Sequence, residues 1–490
     1  MNYVLGLDLG TSSLKGLLVN QEGKIVCTKS ANYPLYNPQS GYSEQDPLDW
    51  IEAAKNVILE LSREVSDFTS HLDGISFSGQ MHSLVLLDEN SNPIRKAILW
   101  NDVRTTEQCA RIMEECGDIV LSQMKNRALE GFTLPKLLWV KENEPELWEK
   151  ASKFLLPKDY LGYWMTGQKQ MELSDAAGTL LLNIEEEQWN WNIAEHFAIS
   201  KEIFPNLVQS MDKIGNLRED LKEQFGFTKD IPIFAGGADN ACAALGAGII
   251  EENTGLCSIG TSGVFLTYEE SGNKDYEGKL HFFNHVKKDS FYSMGVTLAA
   301  GHSLSWFKDT FAKNESFEEL LANVSTVSPG AEGLLFTPYI VGERTPHFDS
   351  QIRGSFIGMD TRHQLVDFTR AVLEGITFSL KDSQEIMNQY ADKQLNKIVS
   401  IGGGAKNKDW LQMQADIFQT TIVTLTNEQG PALGAAMIAA LGSNWFSDVQ
   451  ECVQTFVTYG EEYTPIKENV EKYQEIYERY KRVYPAVKGV

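Results

Sequence analysis

The stretch Leu7-Asp8-Leu9-Gly10-Thr11-Ser12-Ser13 recurs, close to half of the 490-residue chain later, as Cys257-Ser258-Ile259-Gly260-Thr261-Ser262-Gly263. In each copy an apolar run enters a Gly-Thr-Ser turn, and further β-forming residues follow it. The tip of such a hairpin presents backbone N–H groups and hydroxyls that suit an anion, for example a nucleotide phosphate. One Gly-Thr-Ser turn is most often an ordinary turn. Two copies predict a duplicated domain that holds a phosphate-bearing ligand between its halves.

The composition is that of a folded, acidic protein with more than one core. A chain of 490 residues is too long for a single core, and we predict two domains, 1–245 and 246–490. The net charge of −24 and the pI of 4.8 argue against a nucleic-acid partner. An acidic surface is also what keeps many enzymes in solution. Anionic ligands must therefore be held locally, by backbone donors or by a metal ion.

The cysteines and the apolar runs indicate a reduced, cytoplasmic protein. The six cysteines form no Cys-x-x-Cys pair and no metal-ligand spacing. The first ten residues have a strand pattern without a basic segment, so we do not expect a signal peptide. No run of about 18 uncharged apolar residues occurs. We therefore expect no membrane partner.

Hydrophobic periodicity predicts a similar order of elements in both halves. Predicted strands at 3–9, 14–19 and 25–29 precede a helix at 48–65, and a helix-rich insert covers roughly 107–221. Later strands and helices include those at 231–235, 241–247, 304–311, 317–324, 365–390, 397–401 and 410–418. The class is α/β, with a cleft between two domains. The apolar face of the last helix, within 465–484, either packs on its own domain or forms the contact of a homodimer.

Two carboxylates are placed to do chemistry. Asp8 ends the first strand beside the first Gly-Thr-Ser turn, where it either closes an Asx turn or binds Mg²⁺ next to phosphate. Asp239 follows Gly236-Gly237 and precedes a helix, so it is either an N-cap residue or a base that accepts a proton from an alcohol. The helix N-terminus is expected to keep Asp239 ionised at neutral pH. Asn240 would orient the same hydroxyl.

Polar groups interrupt two apolar runs. Gln80-Met81-His82 breaks a strand, and Trp100-Asn101-Asp102 follows another strand with an aromatic face and polar atoms. An apolar surface with a few directed hydrogen bonds is typical of sugar recognition, although a single histidine in a strand is more often structural.

A glycine run in the second half offers a surface for a flat ligand. Gly402-Gly403-Gly404-Ala405 and then Asn407 lie between a strand and a helix. Backbone without side chains lets a ligand approach closely, but a tight strand-to-helix turn accounts equally well for the pattern. The dinucleotide-binding and Walker spacings are absent from the sequence.

Taken together, these motifs resemble those of the FGGY carbohydrate kinases, which belong to the actin-like (ribonuclease H-like) ATPases, and most closely the xylulose-phosphorylating group. The resemblance runs through nearly the whole chain. Besides the motifs above it includes Ser43–Pro47, Ile98–Arg104, Gly131–Leu137, Leu156–Leu161, Ser174–Thr179, Gly237–Asn240 and Pro338–His347.

The resemblance implies roles for particular residues. Asp239 matches the catalytic base, and Asp8 with Asp239 would flank Mg²⁺. The residues that would contact the sugar are Gln80, Met81, His82, Trp100, Asp239 and Asn240. The residues that would contact ATP are Thr11, Ser12, Gly260, Thr261, Ser262, Gly301, Gly403, Gly404, Ala405 and Asn407.

The activity that the resemblance implies is transfer of phosphate from ATP to O5 of D-xylulose, with the sugar mostly on the first half and ATP mainly on the second. Two departures from the family pattern, Ser83 and Ala238, fall near the expected sugar pocket. A gluconate kinase, or a kinase of another ketose or polyol, is the alternative. Asp102 would disfavour a carboxylate substrate if it faces the pocket.

Two alternatives come from other classes of protein. A non-catalytic, actin-like ATP-binding protein would carry the hairpins but has no use for Gln80-Met81-His82 or for an open Asp239. A sugar-responsive regulator is weakened because no basic helix-turn-helix segment precedes Tyr3.

Overall fold

The computed structural model describes residues 2–490 and contains two α/β halves, each built on a seven-stranded sheet. The strands of the first half are β1 (Tyr3–Leu9), β2 (Ser13–Asn20), β3 (Ile25–Asn32), β4 (Glu44–Gln45), β5 (Leu72–Gly79), β6 (Val85–Leu87), β7 (Ala97–Ile98), β8 (Lys153–Leu155), β9 (Gln170–Glu172), β10 (Leu182–Asn183), β11 (Gln188–Trp189), β12 (Asn206–Val208), β13 (Lys213–Asn216), β14 (Pro232–Phe234) and β15 (Gly237–Ala238). Its helices are α1 (Pro47–Glu64), α2 (Phe68–His71), α3 (Thr106–Gln123), α4 (Thr133–Asn143), α5 (Pro145–Trp148), α6 (Pro157–Thr166), α7 (Leu173–Ala177), α8 (Trp191–His196), α9 (Glu219–Phe225) and α10 (Asp239–Gly246).

The second half has fewer and longer elements. Its strands are β16 (Thr254–Ile259), β17 (Gly263–Glu269), β18 (His281–Asn284), β19 (Phe291–Thr297), β20 (Leu335–Thr337), β21 (Ser355–Ile357), β22 (Lys397–Gly402), β23 (Thr421–Leu425) and β24 (Tyr459–Tyr463). Its helices are α11 (Gly301–Phe311), α12 (Phe317–Leu321), α13 (Leu365–Ala391), α14 (Lys408–Phe418), α15 (Pro431–Gly442), α16 (Val449–Phe456), α17 (Lys467–Tyr480) and α18 (Val483–Val487).

The two main sheets share one arrangement around the repeated hairpin. The strand orders are β13-β14-β5-β1-β2-β3 and β18-β19-β17-β16-β22-β23-β24, with β15 also paired to β5. In each sheet the first hairpin strand pairs antiparallel with its hairpin partner and parallel with a later strand, β5 or β22. Leu9 lies opposite Gly79 and Ile259 lies opposite Gly402. The predicted two-domain α/β fold is therefore confirmed.

This register places the functional motifs at equivalent points. Parallel strands end at the same edge of a sheet. The first hairpin tip therefore lies beside the segment that follows Gly79, and the second lies beside the glycine run that begins at Gly402.

A helix of the second half packs on the sheet of the first half. α15 has the sequence PALGAAMIAALG and is buried on nearly all sides, as expected for a helix without a polar face. It lies against β1, β5 and α10. A Cβ on Gly434 would lie 2.0 Å from the Cys242 carbonyl oxygen, and one on Gly6 would lie 2.3 Å from the Ala432 carbonyl oxygen. The division into domains at 245/246 stays a prediction. α15 belongs to the second predicted domain but packs on the sheet of the first.

The C-terminal helix packs on its own half. α17 buries Tyr473, Ile476, Tyr477 and Tyr480, and the Tyr473 hydroxyl donates to Glu374 of α13. Its apolar face is thus used within the chain, and a homodimer stays a prediction. The strand β24 was missed because its sequence, YGEEY, has three exposed residues at a sheet edge.

None of the helices in the described part of the chain combines the length and the apolar character that a membrane crossing needs.

The close approach of α15 and α10 gives a first prediction. Gly434→Ala places a methyl group against backbone that no rotamer change relieves, so we expect the unfolding free energy to fall by about 2–3 kcal/mol. Thermal unfolding measures the change.

Gly117→Ala is the matched control. Gly117 lies inside α3, and its new Cβ would meet only the Met113 side chain, at 3.5 Å. Replacing a glycine inside a helix by alanine stabilises by roughly 0.5–1 kcal/mol. Equal melting temperatures for the two variants would contradict the packing that we describe.

Candidate active site

A cavity of about 250 Å³ lies between the two halves and gathers most of the predicted sugar-binding residues. Those that line it are Met81, His82, Trp100, Asp239 and Asn240, and Ser262 of the second hairpin, which was predicted to contact ATP, lines it too. The cavity wall also contains residues that sequence reasoning missed, among them Leu129, Phe132, His281, Met294 and Arg344. The second half therefore contributes more to this cavity than the sequence indicated.

Asp239 is the first residue of α10, and Ala238 occupies the N-cap position. The N-cap interpretation of Asp239 was therefore wrong. Its Oδ1 accepts hydrogen bonds from the backbone N–H of Asn240 at 2.7 Å and from Asn240 Nδ2 at 3.0 Å. The Ala238 N–H donates to the Ser174 hydroxyl at 2.9 Å, which fixes the start of the helix.

The expectation that Asp239 is fully ionised at neutral pH was also wrong. Burial, together with repulsion from Asp8, raises the pKa of Asp239 to about 7. These two effects exceed the opposing effect of the hydrogen bonds from Asn240. Without a cation, a substantial fraction of Asp239 is protonated at neutral pH.

Asp8 is the second carboxylate of the cleft. Burial raises its pKa to about 6, although a hydrogen bond from Ser78 and the charge of Lys15 act in the other direction. A divalent cation near both carboxylates would relieve their repulsion. Within residues 2–490 there is no group of three or more metal-ligating side chains. Two carboxylates fit Mg²⁺ nevertheless, because Mg²⁺ keeps several waters and takes substrate phosphates as ligands.

In the first hairpin, other residues hold the carbonyl oxygens. The Gly10 carbonyl accepts from the Tyr33 hydroxyl, and the Thr11 carbonyl accepts from Gln45 Nε2 at 2.6 Å. The Gly10 N–H is used inside the turn, where it donates to Ser13. The Thr11 and Ser12 N–H groups and the Ser12 hydroxyl have no acceptor within residues 2–490. A phosphate would therefore meet donors at this tip and not carbonyl oxygens.

The second hairpin has the same property, with different donors. The Gly260 carbonyl accepts from the Gly301 N–H at 2.8 Å, and the Thr261 carbonyl accepts from the His302 N–H at 3.1 Å. The N–H of Gly260 bonds to Ser262 within the turn, so Gly260 does not offer its N–H to ATP. Gly301 must be glycine here, because a Cβ would lie 2.4 Å from the Gly260 carbonyl oxygen.

The glycine run contains one surface position and two packing positions. Gly402 has φ of 79°, and a Cβ there would lie 2.6 Å from the Ile259 carbonyl oxygen. Gly404 is buried against the Ile259 side chain, which makes it a packing residue. Gly403 is exposed, and Ala405 is half-buried.

Asn407 caps the helix that follows this run. Its Oδ1 accepts from the Trp410 N–H at 2.9 Å at the start of α14. Its side-chain oxygen is therefore committed to the helix, and its predicted contact with ATP stays a prediction.

His82 is neutral and has a defined tautomer. Its Nδ1 lies 2.7 Å from the Gly178 carbonyl oxygen, which can only accept, so Nδ1 carries the proton. Burial lowers the pKa of His82 to about 3. The other ring nitrogen, Nε2, is consequently a hydrogen-bond acceptor.

Gln80 supports the site from behind and does not line the cavity. It is buried, its Nε2 donates to Gln45 Oε1 at 3.1 Å, and its Oε1 accepts from the Ser83 hydroxyl at 3.1 Å. The contact of Gln80 with the sugar therefore stays a prediction, which its position behind the cavity wall does not support. Ser83 is also buried, and its oxygen accepts from the Trp100 N–H. The indole Nε1 of Trp100 donates to the Thr11 hydroxyl at 2.9 Å.

Asp102 does not face the cavity, which removes the argument against a carboxylate substrate. It is fully buried and forms an ion pair with Arg104 at 2.7 Å. It also accepts from the Ser43 N–H at 2.6 Å. Ala238, the other departure from the family pattern, is buried as well and is not part of the cavity wall.

Lys136 holds one wall of the cavity in place. Its buried ammonium donates to the carbonyl oxygens of Glu130, Gly131 and Phe132. The aromatic ring of Phe132 contacts His82, with 4.7 Å between ring centroids. The signal that could have found Lys136 is a charged residue inside the apolar run Leu134–Leu138.

The chain is similar to known proteins over its whole length. A xylulose kinase of Lactococcus lactis is 56% identical over 485 residues, covering 99% of this chain and 97% of its own length. Two solved structures from Lactobacillus acidophilus, a ligand-bound xylulose kinase and a gluconate kinase, each align with a TM-score of 0.95 and 27% identity. They cover 100% of this chain, and 99% and 98% of their own.

Family matches cover both halves. Residues 3–246 match the N-terminal domain, and residues 255–443 match the C-terminal domain, of the FGGY family of carbohydrate kinases. The chain is a member of this family.

Proposed function

We propose that this protein phosphorylates D-xylulose at O5 with ATP and releases D-xylulose 5-phosphate and ADP. The observation that carries the proposal is the position of Asp239, in a cavity that also contains neutral His82 and the second phosphate hairpin. The 56% identity to a xylulose kinase over nearly the whole chain supports this choice of sugar.

Asp239 is the base of the proposed reaction. Its carboxylate accepts the O5 proton while O5 attacks the γ-phosphorus of ATP, and the bond to the β–γ bridging oxygen breaks. A weak base is sufficient because the proton leaves late in phosphoryl transfer. Asn240 holds Oδ1 through two hydrogen bonds, which leaves Oδ2 to face the alcohol.

The phosphate chain of ATP binds the two hairpins in this proposal. Thr11 and Ser12 on one side, and Thr261 and Ser262 on the other, offer N–H groups and hydroxyls, since their neighbouring carbonyls are held elsewhere. Mg²⁺, held near Asp8 and Asp239, would neutralise charge on the phosphate oxygens. The exposed Gly403 and the half-buried Ala405 would contact the adenosine.

The sugar lies in the cavity between the halves. Neutral His82 accepts a hydrogen bond from a sugar hydroxyl through Nε2, and Met81 and Phe132 supply apolar surface. Because both halves line the cavity, closing the cleft excludes water and limits hydrolysis of ATP.

The sugar specificity is tested with a coupled assay of ADP release. The two Lactobacillus structures do not separate a xylulose from a gluconate substrate, since they match equally well. We expect D-xylulose to give the highest kcat/KM among D-xylulose, D-ribulose, gluconate, glycerol and L-fuculose. A higher value for gluconate would contradict the proposal, and the absence of turnover with every sugar would favour a non-catalytic ATP-binding protein.

The proposed compartment is the cytoplasm. All six cysteines are free and buried, which fits a reducing environment.

Removing the base tests the central step. For Asp239→Asn we expect kcat to fall by about 10²–10⁴-fold, the usual loss for a missing general base. The binding of ADP, measured by calorimetry without Mg²⁺, should change little because the hairpins are intact.

Asp118→Asn is the control for this substitution, since Asp118 lies exposed on α3, outside the cavity. It should leave kcat unchanged. Turnover by the Asp239 variant at the wild-type rate would show that another group takes the proton.

The pH dependence follows from the raised pKa of Asp239. A base must be deprotonated, so kcat/KM should rise about tenfold per pH unit on the acid side and reach a plateau above a pKa near 7. Raising free Mg²⁺ should move this limb to lower pH, because a nearby cation favours the carboxylate. A pH–rate series at two Mg²⁺ concentrations measures both effects.

His82→Gln distinguishes Asp239 from the histidine as the source of the acid limb. The pKa of His82 is about 3, so the variant should raise KM and keep the limb in place. Loss of the limb in His82→Gln would assign it to His82 instead.

A further inference from the structure

Arg344 is an unpaired cation in the wall of the cavity. It is half-buried, and it lines the same cavity as Asp239 and His82. Within residues 2–490 its guanidinium makes neither an ion pair nor a hydrogen bond. The charges of Glu130 and Glu343 act on it only from outside ion-pair distance.

The backbone that carries Arg344 is held firmly on both sides. The buried Glu343 carboxylate accepts from the N–H groups of Leu298 and Arg344, at 3.0 and 2.7 Å. Thr345 exchanges hydrogen bonds with Val296 at the end of β19, at 3.0 and 3.1 Å. Arg344 is thus presented to the cavity by a fixed segment.

Basic side chains that are more deeply buried do have partners. Lys136 binds three carbonyl oxygens, Lys158 binds three carboxylates, and Arg104 binds Asp102 and Glu44. Arg344 differs from these residues, because its half-buried guanidinium has no acceptor within residues 2–490. Its N–H donors are therefore open to a ligand in the cavity.

Arg344 lies near the two histidines of the cavity. Its neighbour Thr345 is hydrogen-bonded to Val296, two residues beyond Met294, which pairs with His281 across β18 and β19. His281 and His82 both contact the ring of Phe132, with ring centroids 5.8 and 4.7 Å apart. Arg344 and the two histidines therefore line the same end of the cavity.

Both histidines at this end act as acceptors. Asn126 Nδ2 donates to two carbonyls, at 2.8 Å each, so its Oδ1 accepts from His281 Nδ1. Burial lowers the pKa of His281 well below its usual value, so His281 is neutral with a free Nε2 lone pair, as is His82. These nitrogens suit sugar hydroxyls but not a carbonyl or carboxylate oxygen, which can only accept. Arg344 supplies the N–H donors that such an oxygen requires.

We propose that Arg344 binds the oxygen atoms at the carbonyl end of an acyclic substrate, and that the pocket therefore also binds five-carbon sugar acids. This rests on the proposed function, in which the terminal hydroxyl at the other end of the sugar faces Asp239. A sugar acid would place its carboxylate where the ketose has C1 and C2. The planar guanidinium matches a carboxylate with two parallel hydrogen bonds, which are stronger than bonds to a neutral carbonyl.

The test compares two ligands on four proteins. D-Xylonate carries the carboxylate, and xylitol is the neutral polyol with the same number of carbons. The proteins are the wild type, Arg344→Met, Arg344→Lys and the control Arg353→Met, which alters an exposed arginine outside the cavity. Binding is measured by calorimetry, which needs no turnover, and inhibition is measured against D-xylulose.

We expect D-xylonate to bind the wild type and to compete with D-xylulose. In Arg344→Met its Kd should rise by about 10–100-fold, as for the loss of hydrogen bonds to a charged group, while the Kd of xylitol changes by less than about threefold. The Kd of D-xylonate for Arg344→Lys should fall between those of the wild type and Arg344→Met. A lysine keeps the positive charge but cannot form two parallel hydrogen bonds to one carboxylate. Unchanged ADP binding in each variant shows that the protein is folded.

Two results would overturn the proposal. One is the absence of D-xylonate binding to the wild type. The other is an equal loss of xylonate and xylitol binding in Arg344→Met, because that pattern indicates a collapsed pocket wall and not a lost charge contact. Failure of the proposed function is a separate result, since it would appear as a wild type that binds these ligands but releases no ADP with D-xylulose.

Discussion

The repulsion between Asp8 and Asp239 is the constraint around which the cleft is organised. Each carboxylate is held by a regular element. Asp8 lies near the end of the buried strand β1, and Asp239 is the first residue of α10. Burial raises both pKa values, to about 6 for Asp8 and about 7 for Asp239, and the charge of Asp8 contributes to the rise at Asp239. Such a pair is unfavourable by itself, and a nearby cation would relieve the repulsion.

In both hairpins the carbonyl oxygens at the tip accept hydrogen bonds from other parts of the chain, but from different residues in each half. A phosphate is repelled by carbonyl oxygens, and a tight turn exposes them. In the first half the side chains of Tyr33 and Gln45 bind these carbonyls. In the second half the backbone of Gly301 and His302 does so. The two hairpin tips therefore share occupied carbonyl oxygens although the donors differ.

The fold could be predicted from the sequence because the repeated hairpin and the periodicity are local signals. The two-domain class is confirmed and the predicted strands and helices are present, but other elements were not predicted, among them β19, β23, β24 and α15. The site was predictable only in part. Met81, His82, Asp239 and Asn240 do line the cavity, but the directions of side chains are set by tertiary contacts. Gln80 and Asp102 therefore turned out to face inward.

The residues that were missed share a physical reason. His281 and Arg344 come from segments far apart in the chain, and only the packing of β18 and β19 brings them to the cavity. The pKa of Asp239 was misjudged for a related reason. A helix N-terminus is visible in a sequence, whereas the depth of a cleft and the distance to another carboxylate are not.

The crossing of α10 and α15 has a mechanical consequence. Where Gly434 meets Cys242, backbone touches backbone, so no side chain can change rotamer to let one helix roll over the other. If the two halves rotate against each other, we expect this crossing to stay fixed. Rotation of one half against the other must then be absorbed by the connections beside it, residues 247–253 and 426–430, where Gly248 and Gly430 already adopt positive φ.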